Sequence, residues 1–145
     1  MNKNFYSLGL MSGTSGDGID ASLAISDGEK EFDVILNEYF QYSDDIQEEF
    51  HKLKEEILNL QDIDKYSKSL NDLERKITLF NSLAIEIIKS KLLKENINID
   101  LIGFHGQTIL HIPEKKFSLQ LGDAKLLSQL KKISIVYNFR QNDLE

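Results

Sequence analysis

A chain of 145 residues is long enough for one domain with its own hydrophobic core, but it is short for an enzyme of two domains. Its 24 acidic and 17 basic residues give a net charge of −7, which argues against binding to nucleic acid or anionic lipid, since both need clustered positive charge. The chain has no cysteine, no secretory leader pattern and no membrane-length apolar run, so we expect a protein of the reducing cytoplasm.

Three strands are predicted at the start of the chain. The first covers residues 4–10, and after a glycine-rich turn the second alternates apolar and polar residues over 19–26. This period of two is typical of a strand with one face on a core and the other in a polar environment. After a turn at Asp27-Gly28, aromatic and branched residues predict a third strand over about 32–42.

Two helices are predicted next. Ser43 favours a helix start, because its hydroxyl can cap orphan amides and two acids follow it. Apolar residues then recur at helical spacing, at Ile46, Phe50, Leu53, Ile57 and Leu60. A longer helix that ends near Asn96 carries a second stripe, at Tyr66, Leu70, Leu73, Ile77, Phe80, Ala84 and Ile87. We interpret both stripes as core, because a coiled coil would need more heptads.

The rest of the chain returns to strands. Residues 99–106 predict a buried strand that enters a glycine turn, and residues 117–122 predict a shorter one. A short helix over 123–130 and a last strand over 133–139 follow. This order of elements suggests a mixed sheet covered by helices.

The segment GLMSGTSGDGID, residues 9–20, holds four glycines. Glycines let backbone amides turn inward at low steric cost, and such a concavity favours an anion, phosphate above all. The segment is not a Walker A loop, because no lysine follows its last glycine, nor a dinucleotide fingerprint, because a strand follows it. It narrowly misses the pattern of a nucleophile elbow, since Asp17 stands at the final glycine position.

The two aspartates of this segment, Asp17 and Asp20, admit two interpretations. They would repel a phosphate, and the loop has no Lys or Arg to neutralise it. A magnesium ion resolves this conflict, because it is commonly held by one or two carboxylates, often through water, together with phosphate oxygens. Alternatively, Asp17-Gly18 forms a favourable hairpin turn that needs no ligand. The residues by themselves fit both interpretations.

A second polar segment, GFHGQTILHIP, follows the strand predicted over 99–106. It brings together His105, Gln107, Thr108 and His111, whose side chains could hydrogen-bond a hydroxyl-rich ligand. Two histidines six residues apart do not match a zinc pattern. His105 has the residue type of a general base, and a structural hydrogen-bonding role fits it as well.

Four motifs, GLMSGTSGDGID, IGFHGQT, LQLGD and IVYNFR..D, occur in an order that resembles the anhydro-N-acetylmuramic acid kinase family. The resemblance spans essentially the whole chain. It implies an α/β fold, a ribonuclease H-like lobe of the actin-like ATPase type, with a mixed five-stranded sheet and helices packed on it. It also implies ATP and Mg²⁺ as ligands, and an amino sugar whose 1,6-anhydro bond is opened and whose 6-oxygen is phosphorylated in peptidoglycan recycling.

The resemblance also implies roles for particular residues, and it favours the magnesium interpretation of the glycine segment. Asp17 and Asp20 would act near the metal through water. The phosphate-binding hairpin would comprise Gly13, Thr14, Ser15, Gly16, Asp17, Gly18, Ile19 and Asp20. The sugar side of the cleft would comprise His105, Gln107, Thr108, Arg140 and Asp143.

The sequence departs from the family pattern at three places. Gly16 stands where the family usually has leucine, which predicts a looser hairpin, and Asn138 replaces an aspartate. Residues 1–145 correspond to an N-terminal lobe, and the segment that carries the family's general base is expected beyond Glu145. We therefore expect negligible turnover by this chain alone.

Other roles are compatible with such a chain. A homo-oligomer, or a companion chain that carries the second lobe, is an expected partner. The alternatives to a kinase lobe are a non-catalytic nucleotide- or sugar-binding module and a self-associating remnant that uses surfaces the second lobe would cover.

Overall fold

The computed structural model describes residues 3–144, which form seven strands and five α-helices. The strands are β1 (Phe5–Met11), β2 (Gly18–Ser26), β3 (Phe32–Gln41), β4 (Leu101–Phe104), β5 (Gln107–Ile112), β6 (Phe117–Leu121) and β7 (Ser134–Val136). The helices are α1 (Asp44–Glu56), α2 (Leu60–Lys65), α3 (Ser67–Leu92), α4 (Ala124–Lys131) and α5 (Phe139–Leu144).

The main sheet has five strands in the order β3-β2-β1-β4-β7. Strands β1, β2 and β3 pair antiparallel, whereas β4 pairs parallel with both β1 and β7. The predicted mixed five-stranded sheet with packed helices is therefore confirmed. Strands β5 and β6 form a separate antiparallel pair.

The hydrophobic core lies on one face of the main sheet. Alternate residues of the central strands, among them Leu8, Ile19 and Ile102, are wholly buried and belong to one cluster with apolar residues of α1, α3 and α4. The residues between them, such as Met11 and Asp20, are exposed on the opposite face. This alternation leaves the outward face of the sheet open for a site.

The helices follow the predicted starts more closely than the predicted stripes. Ser43 caps α1 as expected, with its Oγ accepting from the Ile46 amide. The expectation that both stripes are entirely core is wrong at Leu60, which is 37% exposed because it begins the separate helix α2, and at Ile87, which is 45% exposed. Neither the 26-residue α3 nor any other helix of the described chain is apolar enough along its length to cross a membrane.

Two elements near the polar segment were not predicted. Residues 107–112 form β5, and the predicted strand over 117–122 pairs with β5 rather than with the main sheet. The predicted strand over 133–139 ends at Val136, and α5 begins at Phe139. Asn138 makes this change of direction with φ 64°, a left-handed conformation that asparagine tolerates better than most residues.

Candidate functional site

The glycine loop, residues 12–17, joins β1 to β2, and its carbonyl groups are held by three other parts of the fold. The Gln107 side-chain Nε2 donates to the Gly13 carbonyl at 2.8 Å. The Lys54 Nζ, from α1, donates to the Thr14 carbonyl at 2.7 Å. The backbone amide of Tyr42 donates to the Asp17 carbonyl at 2.8 Å. The loop is thus tied to its surroundings mainly through its acceptors.

Most backbone N–H groups of the glycine loop donate no hydrogen bond within the described residues. Gly16 donates its N–H to the Gly13 carbonyl at 3.2 Å. In the part of the chain that the structure describes, the hydrogen bonds leave the N–H groups of Gly13, Thr14, Ser15 and Asp17 without a partner. All four residues are exposed. Four spare donors within five residues are a suitable binding site for an anion.

Tyr42 anchors both ends of the glycine loop. Its backbone amide bonds to Asp17, and its phenol Oη lies 2.8 Å from the buried Ser12 Oγ. The ring is 2% exposed and packs edge-on against Phe80 of α3, with the ring centroids 5.1 Å apart. Burial raises the pKa of Tyr42 to about 12, although its hydrogen bond with Ser12 acts in the opposite direction. The anchor is therefore a neutral phenol at physiological pH.

Gly16 packs directly against Phe50 of α1. Its φ is +71°, and a Cβ on its backbone would lie 2.1 Å from the Phe50 Cδ1 atom, closer than real contacts allow. Phe50 is itself wholly buried. Glycine is therefore required here both by the backbone conformation and by the ring of Phe50. The looser hairpin that we expect from a glycine at this position stays a prediction.

The last two residues before Asp20, Gly18 and Ile19, are buried. A Cβ on Gly18 would lie 2.3 Å from the Phe40 carbonyl oxygen, so β3 runs too close for a side chain. Ile19 is wholly buried in the core. With no exposed surface, Ile19 offers a ligand neither its side chain nor its main chain.

The two carboxylates of the hairpin flank Gly18 and Ile19. Asp17 and Asp20 are both exposed, and Asp20 lies on the outward face of β2, paired in the sheet with Met11 and Tyr39. Among residues 3–144, no group of three or more His, Cys, Asp and Glu side chains is arranged to hold a metal ion. Two carboxylates nevertheless fit magnesium, because it usually completes its shell with waters and substrate phosphates.

Lys54 is a candidate functional residue that the sequence analysis missed. It lies in the last turn of α1, and its ammonium group is 5.5 Å from the centroid of the Phe50 ring. It brings a positive charge to a loop whose own residues are neutral or acidic. No sequence signal could have found it, because 40 residues separate Lys54 from Thr14 and the contact exists only once α1 packs under the loop.

A cavity of about 460 Å³ lies next to the hairpin on the outward face of the sheet. Its floor is low because the neighbouring strand positions Gly9, Ser22 and Gly103 carry no side chain larger than a hydroxymethyl group. Its polar lining includes Asp20, His105, Arg140 and Asp143. The structure thus brings one residue of the predicted hairpin together with three residues of the predicted sugar side.

The polar groups of this cavity are partly organised already. The His105 Nδ1 lies 2.9 Å from the Gly106 carbonyl, and the Arg140 Nε lies 3.4 Å from the His105 Nε2. Both contacts are hydrogen bonds when Nδ1 carries the proton and Nε2 accepts. This neutral tautomer occupies both ring nitrogens, which favours the hydrogen-bonding role of His105 over that of a base.

The other two predicted sugar-side residues do not line the cavity. Gln107 is wholly buried and bonds to the glycine loop. The Thr108 Oγ1 accepts from the Gln120 Nε2 at 3.1 Å, within the β5–β6 pair. Their roles toward a sugar stay predictions.

Comparison with known proteins finds one family along almost the whole chain. A family model described as anhydro-N-acetylmuramic acid kinase matches residues 5–145. The chain is 47% identical over 145 residues to the anhydro-N-acetylmuramic acid kinase of Pelagibacter ubique, covering 99% of this chain and 38% of that protein. It is 35% identical over 137 residues to the protein of the same name from Agrobacterium fabrum, covering 94% of this chain and 37% of that protein.

These relatives are much longer than the chain. It spans about 38% of the length of the Pelagibacter ubique protein, and the share is 38% again for the anhydro-N-acetylmuramic acid kinase of Bradyrhizobium diazoefficiens, at 35% identity. What the match covers is therefore the region of the sheet, the glycine loop and the cavity.

Proposed function

Since the chain belongs to the anhydro-N-acetylmuramic acid kinase family, we propose that its glycine loop binds the phosphates of ATP as one lobe of such an enzyme. The reaction would open the 1,6-anhydro bond of anhydro-N-acetylmuramic acid with water and transfer the γ-phosphoryl group to the 6-oxygen of the sugar. Residues 1–145 would form the first of two lobes. The second lobe would come from elsewhere, either from further chain or from a companion polypeptide.

One observation carries this proposal. The glycine loop has its carbonyls tied to Gln107, Lys54 and Tyr42, while four of its N–H groups have no partner among the described residues. Phosphoryl transfer needs mainly positioning and charge stabilisation of the transferred group, and main-chain donors supply both. A turn that served only to reverse the chain would gain nothing from leaving exposed donors side by side.

Asp17 and Asp20 are the residues that would hold a magnesium ion, through water. When bound, the ion would neutralise the phosphate oxygens that these carboxylates otherwise repel. Lys54 would add a fixed positive charge beside Thr14.

The cavity beside Asp20 is the proposed sugar side. Its charged and hydrogen-bonding groups, Asp20, His105, Arg140 and Asp143, suit a ligand rich in hydroxyl and amide groups. The Arg140 guanidinium, held by the His105 Nε2, would orient the sugar, and the glycines beneath it leave room for a ring. A cytoplasmic location agrees with both ligands and stays a prediction.

Calorimetric titration of the chain with ATP tests this proposal, with and without Mg²⁺. We expect Asp17→Ala to weaken binding about tenfold when magnesium is present, because a ligand of the ion is lost. Without magnesium we expect the same variant to bind ATP as well as the original chain or better, because a repelling charge is gone.

The matched control is Asp27→Ala, which removes an aspartate from the other hairpin turn of the same sheet. It should change neither titration. If the original chain does not bind Mg-ATP, or if Asp17→Ala and the original chain bind it equally, the proposed phosphate site is wrong.

A further inference from the structure

Gln107, the first residue of β5, has an unusual environment for an amide side chain. It is 0% exposed, and its Nε2 donates to the carbonyl of Gly13, 94 residues earlier in the chain. Its Oε1 is also buried and has no hydrogen-bond partner among the described residues. The side chain thus uses only one of its two polar ends, and it uses that end on the glycine loop.

The fold itself gains little from this amide. Burying the Oε1 without a partner costs about 1–3 kcal/mol, whereas a neutral hydrogen bond contributes about 1 kcal/mol. A methionine at position 107 would fill a similar volume without any unsatisfied polar atom. Packing therefore does not explain a glutamine here, and its effect must be sought at Gly13.

The contact with Gly13 sets the direction of a loop amide. In a trans peptide the C=O of Gly13 and the N–H of Thr14 lie in one plane and point in opposite directions. Holding the carbonyl against the buried Gln107 therefore turns the Thr14 N–H away from the protein interior. The same carbonyl accepts from the Gly16 amide at 3.2 Å, so Gln107 fixes the turn from Gly13 to Gly16 as a unit.

We propose that Gln107 is a positioning residue that aims the amides of the glycine loop at the bound phosphate, without touching the nucleotide itself. The proposal rests on the proposed function and differs from the sugar contact that the family resemblance implies for this residue. It also joins the loop to the cavity, because β5 begins directly after His105 and Gly106. One buried amide would then fix the position of the phosphate site relative to the sugar site.

Three variants of the chain test this role. Gln107→Met removes the donor, and Gln107→Asn keeps an amide but shortens it by one methylene, out of reach of Gly13. The matched control is Gln120→Met, in the same two-stranded sheet, whose Nε2 bonds to Thr108 and Ser118 and not to the loop. Each variant is titrated with Mg-ATP, unfolded with urea, and labelled with ¹⁵N-glycine to record the amide signals of Gly13 and Gly16 without ligand.

We expect both Gln107 variants to bind Mg-ATP about fivefold to tenfold more weakly than the original chain, and Gln120→Met to bind it equally well. Gln107→Met should unfold at the same urea concentration or a higher one, because an unsatisfied oxygen is removed. If Gln107 had only a structural role, Gln107→Met would instead lower the stability of the chain and leave Mg-ATP binding unchanged. The ligand-free signals of Gly13 and Gly16 should shift in the Gln107 variants but not in Gln120→Met.

The failures of the two proposals can be told apart. If the original chain binds Mg-ATP and both Gln107 variants bind it equally, the positioning role is wrong and the phosphate site stands. If the original chain does not bind Mg-ATP, the proposed function fails, and unchanged ligand-free signals in the Gln107 variants would overturn the positioning of the loop as well. Should Gln107→Met not fold, the role of packing has been underestimated, and Gln107→Asn decides the binding question.

Discussion

The main sheet has two hairpin turns that each contain serine, aspartate and glycine, and their hydrogen bonds run in opposite ways. The second turn, residues 26–31, satisfies its own amides. The Asp27 Oδ1 accepts from the N–H groups of Glu29, Lys30 and Glu31 at 2.9–3.0 Å. The Ser26 Oγ accepts from the Gly28 amide at 3.0 Å. Four amides of this turn are thus satisfied from within it.

The glycine loop also contains serine, aspartate and glycine, but its hydrogen bonds run outward. Its carbonyls accept from α1, from β5 and from the residue after β3, and its exposed amides are spare in the described structure. In the described part of the chain, neither Asp17 nor Asp20 accepts hydrogen bonds from the loop amides as Asp27 does in the second turn. An Asp-Gly pair therefore indicates a turn in both places, whereas the direction of the hydrogen bonds agrees with the proposed phosphate-binding role only for the glycine loop.

The glycines of the two turns also differ in how closely other residues pack against them. Gly28 has a φ of +79° and nothing within 4 Å of where a Cβ would be, so only its conformation requires glycine. Gly16 has a φ of +71° and the ring of Phe50 at that place. Gly28 is thus exposed without a close neighbour, whereas Gly16 is part of the packed structure.

The largest expected effect tests this difference in packing. Gly16→Ala should destabilise the chain by roughly 2–5 kcal/mol, because left-handed strain adds to a clash with Phe50. Gly28→Ala should lose only about 1–2 kcal/mol, from the strain alone. Urea unfolding of both variants measures the difference. Equal losses would mean that the loop can move away from Phe50, so that Gly16 would not be required by packing.

The second prediction concerns how the stability that Tyr42 contributes depends on pH. Its pKa is raised from 10.0 to about 12 in the folded chain, mainly by burial. The phenol's contribution is therefore fully present below pH 10 and is lost as the pH rises toward 12, a fall of about 2–3 kcal/mol. Tyr42→Phe should lack this fall, so the stability difference between the two proteins should shrink over that range. A difference that stays constant from pH 9 to 12 would exclude a buried neutral phenol.

A weaker effect is expected from the charge of Lys54 beside the glycine loop. Lys54→Met should weaken binding of Mg-ATP about twofold to fivefold at low salt, and less at high salt, because an exposed charge is screened. Lys54→Arg should retain most of the affinity. Lys30→Met, which removes a lysine from the second turn, is the matched control and should bind as the original chain does. Equal binding by Lys54→Met and Lys30→Met would remove Lys54 from the site.

Much of the framework was predictable, because it depends on local patterns. Alternation over 19–26 and the aromatic run after Phe32 predicted β2 and β3 within a residue or two, and Ser43 predicted the start of α1. The glycine segment was correctly placed between two strands. Short elements were harder, since residues 107–112 become a strand only by pairing with 117–121.

Local sequence patterns were enough to predict the order of the main elements, the position of the glycine-rich loop and the family that the motifs resemble. These follow from side-chain period and residue type, which act over a few positions. The tertiary structure alone decided that Lys54, Gln107 and Tyr42 converge on the loop carbonyls, and that Asp20 shares a cavity with Arg140 and Asp143. Contacts between residues tens of positions apart depend on how the core packs, and no local pattern records them.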